Sequence, residues 1–223
     1  MEENGGINYV QNLNSTIMKT FFRMFLGLLA TGIAAYVTYS TGTLFGISFP
    51  VLAIIEVAVV LLFTFLFRKL SPVMVTLLYY TYAIINGVTM SIIFYLFDIE
   101  TIFYAFFATS ALFGALAFVG YKTNKDLTKF GTILTTTLFV GIIVSLINLF
   151  LDLGAVAIAL DWVMLFVFAG LVMYDMQKIK TMHEMVDCNP EKLYVYCAMD
   201  LYLDFINIFI RMLSLFARFS RDD

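Results

Sequence analysis

An all-α, polytopic membrane protein of seven transmembrane helices is the fold class the sequence predicts, on three observations. First, 62% of the 223 residues are hydrophobic and only 13% are charged, with a mean hydropathy of +0.94, whereas soluble domains average about 25% charged. Second, the apolar runs are near the ~20 residues an α-helix needs to cross ~30 Å of hydrocarbon, and much too long for the strands of a membrane barrel. Third, the last run, residues 193–219, carries Asp200, Asp204, Asn207, Arg211, Ser214 and Arg218 at successive spacings of 4, 3, 4, 3 and 4. That spacing aligns all six on one helix face. A charged side chain in hydrocarbon costs at least ~2.5–3.5 kcal/mol. This helix should therefore be surrounded by others, its polar face turned to them or to water.

The elements follow in order. Ile7, Val10, Leu13 and Ile17 recur at helical spacing, so residues 6–20 read as an amphipathic surface helix running into the first span. The start, MEENGG, is acidic where a cleavable signal would be basic. Span 1 covers about 21–39, and a polar turn occupies 41–48. Span 2, about 49–67, has Pro50 in its first turn, where a missing N–H costs little, and ends at Arg68 and Lys69. Ser71-Pro72 opens span 3, about 73–97, and Asp98 and Glu100 form an acidic turn. Span 4 runs over about 101–121, a basic loop over 122–126, and span 5 over about 127–151. Asp152-Leu153-Gly154 turns the chain into span 6, about 155–178. The longest connection, 181–192, holds His183, Glu184, Asp187, Asn189 and Pro190 before span 7. The organisation expected is an N-terminal segment 1–20, one transmembrane domain 21–219 and a tail 220–223. Small residues four apart (Ala30 and Ala34, Ser110 and Gly114, Ala111 and Ala115, Ala155 and Ala159) are expected to let helices approach closely.

Charge orients the bundle. Lys19, Arg23, Arg68, Lys69, Lys122, Lys125, Lys129, Lys178, Lys180 and Lys192 are ten of the thirteen basic residues, and all fall on one side. The positive-inside rule makes that side, and the N-terminus, cytoplasmic. Arg211, Arg218 and Arg221 break the pattern if span 7 crosses and obey it if span 7 turns back; its 27 residues are enough to cross. A net charge of −3 offers no basic surface for nucleic acid. Cys188 and Cys197 lack metal-ligand spacing and are expected reduced.

Few ionisable residues fall inside the spans: Glu56, Asp161, Asp175, Asp200, Asp204 and Arg211. Intramembrane charges mark functional sites by default. Glu56 and Asp161, six or seven residues into their spans, are equally readable as structural or interfacial. Asp200 lies near the inner boundary, where water can reach it, and Arg211 can pair within its own helix with Asn207 or a carbonyl. Asp175, in LVMYDMQKIK, and Asp204, in LYLDFIN, lie on consecutive antiparallel spans and can face each other. Two carboxylates in one desolvated site cannot both ionise cheaply, so one proton would be held between them, or a cation would replace it. With both spans centred, Asp204 lies several ångströms deeper than Asp175, so pairing needs span 7 to extend inward or a wet cavity.

An enzyme is not expected. The one histidine, His183, lies in a loop, no mid-span lysine could hold a retinal, and no phosphate-cradling GxxxxGK[ST] occurs. An intramembrane aspartyl protease would need a glycine motif that Asp204 lacks.

At Tyr174-Asp175-Met176-Gln177-Lys178-Ile179 and at Ala198-Met199-Asp200-Leu201-Tyr202-Leu203-Asp204-Phe205-Ile206-Asn207-Ile208-Phe209 the chain resembles the Bax inhibitor family, also called the transmembrane Bax inhibitor motif family. Glu56 and the seven-span layout extend the likeness over the chain. The resemblance implies six spans around a central seventh, a pH-dependent calcium leak, and Asp175 with Asp204 as a paired-aspartate proton sensor. It also implies a latch arginine at the inner end of span 2. Arg68 is the candidate, one residue beyond the matching position, which Phe67 holds. The short chain looks prokaryotic, which implies a plasma membrane.

The reading is a cation leak, most readily calcium, gated by protonation of the Asp175–Asp204 pair, with Glu56 and Asp200 adding charge along the path. Carboxylates at a wet cavity suit calcium, which Asp175 and Asp204 would bind transiently. No resident cofactor is expected, and the partners are the lipid bilayer and calcium. The alternative is a non-conducting regulator that binds membrane proteins or a protease in a stress response. A proton-coupled transporter would need a repeat between spans 1–3 and 4–6, and no motif repeats there.

Overall fold

A computed structural model describes residues 2–43, 49–67, 69–184 and 189–219. These form α1 (Glu2–Thr41), α2 (Phe49–Leu66), α3 (Pro72–Met90), α4 (Ile93–Leu96), α5 (Ile99–Lys122), α6 (Thr128–Leu151), α7 (Gly154–Glu184) and α8 (Pro190–Phe219), with no strand among the described residues. Six stretches are long and apolar enough to span a membrane: Leu13–Thr41, Pro72–Leu96, Ile99–Lys122, Thr128–Asn148, Gly154–Met182 and Pro190–Arg218. The remaining expected span, α2, is 18 residues long with Glu56 as its one ionisable residue.

α1 runs from the polar start through the first span without a break. One expected span is interrupted. Span 3 is divided: α3 stops at Met90 and α4 begins at Ile93. Between them the Ser91 hydroxyl donates to Val88 O at 2.7 Å, and Phe94 N–H donates to Ser91 O at 3.2 Å, so the backbone tightens into three-residue turns.

The chain divides into two compact units, Met1–Leu96 with Ile179–Tyr202, and Phe97–Lys178 with Leu203–Asp223. In the first, α1 buries Thr16, Thr20, Met24, Thr31, Ala35 and Thr38, while Met18, Phe22, Phe25 and Ile33 are 57–68% exposed. Polar groups inside and apolar groups outside are the arrangement lipid favours, because small hydroxyls can bond across helices and alkyl groups need no shelter from a bilayer. Gly87 of α3 meets Thr31 O of α1; a Cβ there would stand 2.5 Å from that oxygen and 2.7 Å from Ala34 Cβ.

In the second unit, α7 is lined by glycine contacts. A Cβ on Gly120 of α5 would stand 2.6 Å from Met173 O, one on Gly131 of α6 would stand 2.5 Å from the Tyr174 ring, and one on Gly170 would stand 2.6 Å from Leu134 Cδ1. These close approaches correct the expected ones: Ala111, Gly114, Ala115, Ala155 and Ala159 are exposed, and nothing lies within 4 Å of where a Gly114 Cβ would be. The reason is the helical period. The buried face of α5 is Ile102, Ala105, Thr109, Phe113, Ala117 and Gly120, and the small pairs fall beside it. Phe205 of α8 packs edge-on against Phe106 and Phe113, with ring centroids 5.8 and 5.5 Å apart. α8 is unbroken over its 30 residues, and 72% of its spanning stretch is buried, against 17–44% for the other five.

Candidate functional site

A polar cluster in the second unit is built on Asp161, which is 5% exposed. Its Oδ1 accepts from Arg211 Nη1 at 2.8 Å; its Oδ2 accepts from Ser214 Oγ at 2.7 Å and from Arg218 Nη2 at 3.3 Å. Arg211, Ser214 and Arg218 are spaced 3 and 4 apart, so α8 presents all three to one point on α7. The arrangement corrects one expectation. Arg211 pairs with another helix, not with its own; Asn207 Nδ2 donates to Leu203 O instead, at 2.8 Å. Asp161, open to a structural or an interfacial reading in the sequence, is tied to α8 by ion pairs. A cavity of about 330 Å³ opens beside the cluster, lined also by Ser145, Asn148 and Asp152. Asp152 caps α6 in the left-handed region, with φ 50°.

The same geometry places the end of α8 within its unit. Phe216 lines a cleft with Asp98, Ile99 and Glu100, and Arg218 reaches Asp161, seven residues past the start of α7. The last turns of α8 thus stand at the end of the unit that carries the 97–98 and 152–153 turns. α8 runs to Phe219 without a break.

Asp175 and Asp204 both belong to this unit. Asp204 is 3% exposed and Asp175 is half-buried. On α7, Asp161, Leu165, Phe168, Val172, Met176 and Ile179 form a buried stripe at helical spacing, and Asp175 lies on its flank. The residues around Asp175 each have an identifiable contact. Tyr174 packs on Gly131, and Met173 and Met176 pack on Gly120. Gln177 accepts from Leu127 N–H at 2.7 Å and donates to Lys125 O at 2.6 Å, tying the α5–α6 loop to α7.

In the first unit, the organising side chain is Tyr202, which is fully buried. Its hydroxyl donates to Asn86 Oδ1 at 3.0 Å and lies 2.6 Å from Thr31 Oγ1, which is itself 2.9 Å from Ala83 O. Tyr79 and Tyr82 stand edge-on to its ring, with centroids 5.8 and 5.9 Å away. Half-buried Glu56 has Thr89 and Asn86 as hydrogen-bonding neighbours, and its Oε1 has no partner among the described residues. Asp200 is half-buried, one turn before Asp204. Arg68 and Cys188 lie outside the described residues. Phe67, which holds the matching latch position, is 5% exposed and packs on Tyr196 with centroids 4.6 Å apart, and Lys192 Nζ lies 5.4 Å over its ring. Cys197 is buried.

Sequence reasoning missed Thr31, Asn86 and Tyr202, because hydroxyls and amides carry no charge to mark them. Asn86 in mid-span was the available signal.

Compared with known proteins, residues 13–221 match the family described as "Inhibitor of apoptosis-promoting Bax1". The chain is 32% identical over 214 residues to "Inner membrane protein YbhL" of Escherichia coli K12, covering 92% of each chain. It is 32% identical over 210 residues to "Uncharacterized protein RP147" of Rickettsia prowazekii, covering 91% of this chain and 89% of the other. An "Uncharacterized protein" of Borreliella burgdorferi is 31% identical over 218 residues, 94% of each.

Proposed function

This chain belongs to the Bax inhibitor family, and from that premise we propose that it is a calcium-permeable cation leak of the plasma membrane, gated by a proton shared between Asp175 and Asp204. It is a multi-pass membrane protein, and its relative YbhL is named as an inner membrane protein. The distribution of lysine and arginine supports a cytoplasmic N-terminus. The high burial of α8 supports a bundle in which the other spans surround it.

The observation that carries the reading is the burial of Asp204, 3% exposed, in the same unit as Asp175. A carboxylate so enclosed is stable as an anion only beside a proton or a cation. Helix register supports the pairing. Asp161 is met by residues 211, 214 and 218, centred near 214, and the helices run antiparallel. Fourteen residues further along α7, Asp175 comes within about one helical turn of the level of Asp204, some 6 Å at ~1.5 Å per residue. A bridging water between the two side chains would span that remainder. Among the described residues no group of three or more His, Cys, Asp or Glu could hold a metal ion. Calcium here is cargo: two carboxylates supply part of its oxygen shell and water the rest, so it binds weakly enough to leave.

The test is flux into liposomes loaded with a calcium dye, across roughly pH 5–8, for the full chain and for Asp175→Asn and Asp204→Asn. Either substitution should flatten or displace the pH profile while the protein remains folded. Unchanged profiles in both variants would remove the sensor role; no protein-dependent flux at any pH would remove the channel.

A further inference from the structure

We propose that Arg211 and Arg218, held side by side on Asp161, form a receptor for a phosphate-class oxyanion, carried on a lipid headgroup or free in solution. The site lies apart from the Asp175–Asp204 pair, fourteen residues away along α7, and rests on separate observations. Two guanidiniums share one buried carboxylate, so the cluster carries one uncompensated positive charge. Asp161 accepts from three donors on its two oxygens. The arginines are not saturated: each spends one N–H on Asp161, and the Nε of each is buried with no partner among the described residues. The remaining Nη N–H groups of each are left for a second acceptor.

The place for that acceptor is the cavity of about 330 Å³ against the two arginines, within the range of small-molecule sites. Asn148 lines it with its Oδ1 already accepting from Leu153 N–H at 3.2 Å, which orients the amide so that its NH₂ is a further donor. Ser145 adds a hydroxyl. Among the described residues Asp152 is the one other charged group on the cavity wall, and it is exposed, so water weakens its repulsion of an anion without removing it. Planar guanidiniums with paired N–H groups match the oxygens of a phosphate.

Depth favours a membrane source. α7 has 31 residues, about 46 Å of helix against ~30 Å of hydrocarbon. Asp161 is about 10 Å from its first residue, near the boundary where lipid phosphates lie. Long arginine side chains reach that level readily.

The experiment uses the full chain in an uncharged maltoside detergent, with unfolding followed by Trp162, the single tryptophan, beside Asp161 in sequence. One arm adds sodium phosphate against sodium chloride at equal ionic strength. The other adds dioctanoyl phosphatidylglycerol against dioctanoylglycerol, which has the same chains and no phosphate. A bound oxyanion raises the unfolding midpoint with concentration. Arg218→Gln, at a side chain 40% exposed, should weaken apparent affinity about tenfold, the loss of one charge-assisted partner. Asp152→Asn should strengthen it. A rise in the lipid arm alone assigns the site to headgroups, a rise with phosphate alone to a soluble anion, and a rise in both to the shared chemistry. No rise in either arm, or a rise undiminished in Arg218→Gln, overturns the proposal. Should Arg218→Gln lack a cooperative transition, Asp152→Asn decides: tighter binding supports the site, and unchanged or weaker binding overturns it.

Discussion

Replacing Asp161 by Asn leaves the shape of the side chain and removes its charge. Three donors then face a neutral amide, and one of the two amide positions presents N–H groups to them. Hydrogen bonds to charged groups are worth about 1.5–3 kcal/mol each, and breaking a buried pair by removing one partner costs ~3–5 kcal/mol. Both figures are upper limits here. The Arg211 and Arg218 side chains are 24% and 40% exposed, so water recovers part of the loss. Polar contacts between membrane helices also average nearer 0.6 kcal/mol, with a maximum of about 1.7. Giving Arg211 and Ser214 near-maximal membrane values and Arg218 little, the expected cost is about 2–3 kcal/mol. The assay is reversible unfolding in mixed detergent and dodecyl sulfate micelles, with a double-mutant cycle against Arg211→Gln. The coupling energy should be about 1–2 kcal/mol, since the bond between Arg211 and Asp161 is short and its carboxylate buried. A loss below ~0.5 kcal/mol in Asp161→Asn, typical of surface substitutions, would refute the claim that this cluster anchors α7 to α8.

Gly120→Ala should destabilise by about 1–3 kcal/mol, because its Cβ would meet the backbone at Met173, 2.6 Å from the carbonyl oxygen. Gly114→Ala has open space and should be neutral or slightly stabilising in the same unfolding assay. Tyr202→Phe removes the donor to Asn86 and the neighbour of Thr31, both buried, and should cost about 1–2 kcal/mol. At the α5–α6 loop, hydrogen bonds from Thr128 hold the Asp126 carboxyl below the ordinary carboxylate range. A depressed carboxylate stabilises above its unfolded pKa and loses that contribution as pH falls through its folded value. Exchange protection at the Thr128 amide, which donates to Asp126 Oδ1 at 2.9 Å, should therefore persist at neutral pH and fall in acid, and Asp126→Asn should abolish that pH dependence.

Helix existence was legible because length and apolarity decide it, and the turn residues Ser71-Pro72, Asp98 and Asp152 punctuate it. Which residues approach closely was not legible from small pairs, since any four-residue pair defines a stripe and only the whole helical face says whether it points inward. Gly114 and Gly120 show the difference. The polar stripe on α8 was readable as a stripe, and its inward orientation follows from the cost of charge in lipid. Its division of labour was not readable. Counting residues from a shared membrane boundary puts Asp161 and Arg211 at similar depth, but their pairing also depends on rotation about each helix axis, which composition does not encode. Tyr202 was hidden within a motif recognised for its aspartates.

The cluster on Asp161 also bears on the order of assembly. Arg211 and Arg218 are expensive passengers for a helix entering a bilayer alone. Their counter-ion is on α7, which precedes α8 in the chain. Synthesis therefore delivers the acceptor before the two cations that need it, and the last helix enters a membrane that already holds its partner. Reversing that order by moving the final helix to the front of the gene would keep every contact of the finished fold and remove the carboxylate from the moment of insertion.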